Sequence, residues 1–268
     1  MAVLIEEDRF VPAWLAAARH LDARPGQIDR NLILEIKKPG SLTAQDREVI
    51  KVVDAALRKS TPGLSVDTVA GTIFPSGLYK RDGRPEFYQK YLDVMKRAQK
   101  PHTWGTYALR MMRRVARDGA STFNPLETIV RKLEASKQGR SYQAAYELGV
   151  IDAQYDIADN TNEFGCELPL YEPGSDRNKA LNMPCLSHLS FKITDDKVDL
   201  TAIYRSQWYG QRALGNLIGL SNLHKFVAVE SGFDLGVLTC VATHAYLDKE
   251  TFGGAKATKA MLKGFPAA

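Results

Sequence analysis

The chain has 268 residues, 44% of them hydrophobic, and a formal net charge of +5. That length buries a full core and suits one domain, while basic residues spread over 36 positions, in no single run, argue against a nucleic-acid-binding arm. The three cysteines, Cys166, Cys185 and Cys240, form no CxxC pair, so neither a disulfide framework nor a cysteine zinc site is expected.

Glu6, Glu7 and Asp8 stand where a signal peptide needs a basic start and an apolar run, and no stretch has the length of a membrane span. The expectation is a cytoplasmic protein with no membrane partner. Asn31 to Ile36 reads as a strand ended by Pro39-Gly40. A helix follows, capped by Thr43 with Asp46, carrying Val49, Ile50, Val53, Ala56 and Leu57 at helical spacing and closed by Pro62-Gly63. Val66 to Phe74 is β-branched and reads as a strand. Pro85 to Lys100 places Phe87, Tyr88, Tyr91, Leu92 and Met95 on one helical stripe, read as core packing.

Asn124-Pro125 starts the next helix, whose apolar face is Leu126, Ile129, Val130 and Leu133 and whose stop is Gly139. Gly139 to Tyr146 reads as a loop entering a strand, and Asp156 to Asn182 as a long polar surface excursion. Leu186 to Ile193 and Val198 to Tyr204 form two strands about a turn at Asp195-Asp196-Lys197. Folding about that turn sets Cys185 opposite Arg205 and Ser206. Leu214 to Val229 reads as a buried helix stopped by Ser231-Gly232, and Val237 to Leu247 as a last strand.

The chemistry-bearing residues cluster late in the chain. A cysteine is a nucleophile only as thiolate, and a guanidinium across the hairpin favours that form; the alternative is a small buried hydrophobe beside a structural arginine. Arg205-Ser206 can grip a phosphate or simply end a strand in solvent. Asn216 can read a pyrimidine edge, because a carboxamide donates and accepts at once, or cap its helix. His244 and Tyr246 project to one face and can hold sugar hydroxyls or sit half-buried and satisfied. The five histidines are scattered and none has metal-ligand spacing.

As a set, Pro184-Cys185, Tyr204-Arg205-Ser206, Asn216 eleven residues past Arg205, and His244-Ala245-Tyr246 resemble the signature of the thymidylate synthase family, including its pyrimidine nucleotide hydroxymethylases. The resemblance covers roughly residues 124 to 247. Upstream, Gly139-Arg140 and Ala145-Tyr146 resemble the family's Ser-Arg-Arg segment and Ala-Trp strand, and Gly105-x-Tyr107 faintly its Gly-x-x-Tyr-Gly turn.

The resemblance implies an α+β fold: a large mixed β-sheet covered by helices, whose open face packs against a second copy in a homodimer. It implies methylation or hydroxymethylation at C5 of a pyrimidine nucleoside monophosphate, with Cys185 adding to C6 and 5,10-methylenetetrahydrofolate as donor. Arg205 and Ser206 would bind the phosphate, with Arg140 reaching it from the second copy. His244 and Tyr246 would take the ribose, and Asn216 the base, with a preference for uracil. Glu35, at a strand end, is the candidate for the family's upstream catalytic glutamate. The sequence departs from the pattern at Leu186, where a histidine usually follows the cysteine, and at Trp208 and Ala242, which stand at aspartate positions. A nucleotide-binding protein of the same fold without the transfer chemistry is the alternative.

Overall fold

The computed structural model describes residues 1–98, 105–116, 118–139, 143–148 and 184–266. The polar excursion read at 156 to 182, and Arg140 and Cys166 with it, lie outside the described residues. The elements in chain order are β1 (Val3–Glu7), α1 (Phe10–Asp22), β2 (Ile28–Ile36), α2 (Ala44–Ser60), α3 (Val66–Ile73), α4 (Ser76–Asp82), α5 (Glu86–Ala98), α6 (Tyr107–Met112) and β3 (Arg114–Val115). There follow β4 (Thr122–Phe123), α7 (Pro125–Ser136), β5 (Glu147–Leu148), β6 (Leu186–Thr194), β7 (Lys197–Tyr204), β8 (Gln207–Trp208), a π-helical turn (Tyr209–Ala213), α8 (Leu214–Ser231), β9 (Asp234–Tyr246) and α9 (Ala255–Gly264).

A seven-stranded mixed sheet organises the molecule in the order β1-β2-β9-β7-β6-β5, with β8 continuing beside β9. β1 runs parallel to β2, β9 antiparallel to β2 and parallel to β7, and β6 and β7 form the antiparallel hairpin. One face packs on α1 and α8 through Leu32, Leu34, Ile36, Leu200, Ala202 and Leu238, all fully buried. The other face carries Leu4, Glu6, Ile33, Glu35, Thr201, Ile203, Thr239 and Val241, each partly or well exposed. Among the described residues no helix is long and apolar enough to cross a membrane.

Capping and periodicity produce the helices as expected: Thr43 and Asp46 form a capping box on α2, and Asn124 accepts from the Glu127 amide at the start of α7. Val66–Ile73 is a helix and not the expected strand. Ser65 and Thr68 make a reciprocal cap there, and Val66, Val69, Ala70 and Ile73 fall on one helical face. That face presses on Gly215 and Gly219 of α8, where an added Cβ would come within 2.6 Å of Val69 and 2.7 Å of the Ala70 carbonyl. Close helix packing overrides the β-branched bias of the segment.

Candidate active site

The hairpin brings the cysteine and arginine together as its spacing predicts. The Arg205 amide donates to the Cys185 carbonyl at 2.9 Å, and the guanidinium donates to the Pro184 carbonyl through Nε at 3.1 Å and Nη2 at 2.8 Å. Tyr107, at the start of α6, holds the other side: its buried hydroxyl accepts from the Cys185 amide at 2.9 Å and the Leu186 amide at 3.3 Å.

At this level the sheet kinks. Ser187 drops out of the β6–β7 ladder, Asn31 and Thr243 drop out of the β2–β9 ladder, and Asn31 has a left-handed φ of 53°. Before the kink, Leu32, Ala202, Tyr204, Cys240 and Ala242 are buried; beyond it, Asp29, Gln207 and Ala245 are. The alternation has slipped by one residue on three neighbouring strands. Because side chains alternate along a strand, the slip turns Arg30, His244, Tyr246 and Trp208 to the exposed side.

There the Ser206 hydroxyl and His244 Nδ1 lie 3.5 Å apart. Trp208, 47% exposed, meets Tyr246 edge to face at 5.8 Å between ring centroids. The Asp248 carboxylate accepts from the Gly210 amide at 2.7 Å, and a Cβ on Gly210 would sit 2.6 Å from the Asp248 carbonyl. That contact stitches the π-helical turn to the chain leaving β9, and so ties Asn216 to the segment of His244 and Tyr246. Asn216 is buried in the first turn of α8, after a residue already helical, so it is not the helix cap. Among the described residues its carboxamide has no hydrogen bond.

The electrostatics differ from the expectation in sign. The Arg205 and Arg212 guanidinia favour the thiolate, but burial outweighs them and pushes the Cys185 thiol above its ordinary pKa. Cys240, wholly buried, is pushed up to about 12 and is inert. Arg212, on the exposed side of the π-helical turn, and Tyr107 are the residues that sequence reasoning missed. Arg212 carried no motif; Tyr107 was marked only by the glycine two positions before it.

Glu35 is not brought to this cluster. It faces Thr239 across β2 and β9, whereas Cys185 is level with Thr243, so the carboxylate lies about 13 Å further along the sheet and three strands away. It also sits on the open face, while Cys185 packs against the core. Among the described residues no group of histidines, cysteines and carboxylates is arranged to hold a metal ion.

No family model matches the chain. It is similar to curated archaeal proteins each named "Putative thymidylate synthase". That of Methanosarcina acetivorans is 25% identical over 186 residues, covering 65% of this chain and 81% of the relative. Those of Methanosarcina mazei and Methanosarcina barkeri are 41% and 36% identical over 69 residues, which is 26% of this chain and spans only 32% of each relative. Similarity to these proteins supports the chain as a divergent member of the thymidylate synthase family.

Proposed function

We propose that the protein transfers a one-carbon unit, as methyl or hydroxymethyl, to C5 of a pyrimidine nucleoside monophosphate through a covalent Cys185 adduct. The observation that carries this reading is the hairpin clamp, with Arg205 bonded by backbone and side chain to the Pro184-Cys185 segment. In this reading the sulfur adds to C6 and C5 becomes nucleophilic toward a one-carbon electrophile. Loss of the C5 proton and elimination of the thiolate then restore the ring. Arg205 and Ser206 bind the phosphate, with Arg140 joining them from a second copy. His244 and Tyr246 hold the sugar. Asn216, buried and without a hydrogen-bond partner among the described residues, pairs with the edge of the base, preferring uracil.

Burial raises the thiol's pKa and favours its protonated form, and an arriving nucleotide, by excluding water around the guanidinia, strengthens their hold on the thiolate. The residues fit folate poorly: where the family contacts it with an aspartate this chain has Trp208. In place of 5,10-methylenetetrahydrofolate, the reading asks of the donor only that it be a one-carbon electrophile. Glu35 has no part in the chemistry of one protomer. The open sheet face, with Leu4 55% exposed beside Ile33 and Val241, supports a homodimer packed sheet to sheet.

Incubating the enzyme with a 5-tritiated pyrimidine nucleoside monophosphate tests the mechanism without naming the donor. Wild type releases tritium to water and Cys185→Ala falls to background; release that persists in the variant rules the covalent mechanism out. The raised thiol pKa favours a second reading, a nucleotide binder without chemistry. It predicts nucleotide-dependent thermal stabilisation with no tritium release from wild type.

A further inference from the structure

The later turns of α1 and α9 enclose a cavity of about 450 Å³, lined by Arg19, Asp22, Lys259, Leu262, Lys263 and Phe265. None of these residues belongs to the candidate active site. Leu262 and Phe265 pack on the core, which gives the cavity an apolar wall beside its cations.

The charge at its mouth is uncompensated. Lys256, Lys259 and Lys263 are all exposed, and on α9 they fall within roughly 60° of one another over about 10 Å of helix. Like charges three and four residues apart on a helix repel, and Lys256 stands in the first turn, where the helix dipole disfavours a cation. Among the described residues none of the three has a carboxylate partner to offset this. The one acid of the lining, Asp22, is held by Lys249 at 2.7 Å, both side chains being mostly buried. Service to the helix's last carbonyls does not account for the lysines either, because Arg19 performs it. Its Nη2 donates to the carbonyls of Leu262 and Phe265 at 2.9 Å and of Pro266 at 2.7 Å.

We infer that this cavity binds an oligophosphate, with successive phosphoryl groups along the Lys256, Lys259 and Lys263 stripe and the Phe265 wall open to an attached nucleoside. A stripe of cations that costs the helix stability, beside an apolar wall and with no anion of its own chain to neutralise it, matches a row of anionic groups on a ligand. A single phosphate is too short to meet all three lysines, whereas a triphosphate runs along most of the stripe. The inference is independent of the nucleotide reading above, since the two sites share no residue.

Titration calorimetry with inorganic triphosphate, orthophosphate and adenosine triphosphate tests it on wild type, Lys259→Ala/Lys263→Ala and a control, Lys59→Ala/Lys80→Ala, which removes the same charge elsewhere. Wild type should bind inorganic triphosphate about tenfold or more tighter than orthophosphate. The Lys259/Lys263 variant should weaken triphosphate by about tenfold or more, as loss of charged hydrogen bonds does, while the control changes it little. All four lysines are exposed, and unchanged melting temperatures exclude a folding defect. Hydrogen exchange of wild type locates the ligand without any variant: triphosphate should protect Ala255–Gly264 and leave residues 204–208 of the candidate active site unchanged. Tighter binding of adenosine triphosphate than of inorganic triphosphate assigns the nucleoside to the Phe265 wall, and equal binding assigns the site to the phosphates alone. A wild type that binds no triphosphate, an equal loss in the two double variants, or protection confined to residues 204–208 overturns the site.

Discussion

Two arginine neighbourhoods show the division of labour in this molecule. Arg84, 14% exposed, is saturated: it forks onto Glu127 at 2.8 Å, reaches Glu134 at 2.7 Å and lies 3.6 Å from Glu230, which also accepts from Tyr79. Those contacts tie α5's leading turn to α7 and α8. At the kinked rim, Arg30, Asn216 and Trp208 offer charge, carboxamide and an indole with no hydrogen-bond partner among the described residues. Groups that close a network stabilise the fold, and groups left open at a rim are available to a ligand.

The largest expected effect breaks the saturated side. Arg84→Met leaves three carboxylates facing each other, and the loss, read from the urea midpoint, should be about 3 kcal/mol. That is the lower end of the range for a buried pair because Glu134 is 41% exposed. Trp208→Ala at the rim should cost well under 1 kcal/mol by the same measurement. Similar losses for the two would erase the contrast.

Acid should come next. His224 is fully buried, donates from Nε2 to the Val198 carbonyl at 2.5 Å, and among the described residues has no partner at Nδ1; burial pushes its pKa down to about 4 from the usual 6.5. The unfolded chain thus binds more protons between those values. Stability is complete above about pH 6.5 and falls as pH drops through the window, by about 2 kcal/mol between pH 7 and 4.5. His224→Gln should flatten that limb of a denaturation series run against pH. An unchanged slope would mean that other groups govern the acid side. Asp29, held below the usual carboxylate range chiefly by the His20 hydrogen bond, adds its loss only at lower pH.

The smallest effect sharpens the open side. Alkylation of Cys185 by iodoacetamide, followed by peptide mass spectrometry, should still be accelerating above pH 9, because burial holds the thiol protonated. Arg212→Ala removes one of the two cations acting on the sulfur and should slow the reaction a few-fold at pH 8, while Cys240 stays unlabelled. Faster labelling in the variant would show that Arg212 shields the sulfur instead of polarising it.

Much of the fold was legible because local chemistry and tertiary need agree. The hairpin turn, the Thr43 and Asn124 caps and the buried run of α8 all follow from residue type and period. Val66–Ile73 misled because its β-branched residues satisfy both periods; the Ser65–Thr68 cap and the glycines of the distant α8 decide for the helix. The Cys185–Arg205 meeting was legible from spacing alone. The kink was not, since neither Asn31 nor Thr243 marks it and it exists only where three strands lie side by side. Without it the outward turn of Arg30 and His244, and the inward turn of Asp29, had no basis. Tyr107 and Arg212 reach the thiol by folding across the sheet's end, which no local pattern records.

The slip in β9 lets one continuous strand keep its buried side on the core across a change of phase. Cys240 and Ala242 fill the core, and so does Ala245, three positions past Ala242 instead of two or four. A single-residue insertion or deletion between Asp234 and Thr243 would invert one half against the other and bury His244 while expelling Ala245. The count of residues in this strand is therefore as constrained as their identity, and the chain can drift in sequence here far more freely than in length.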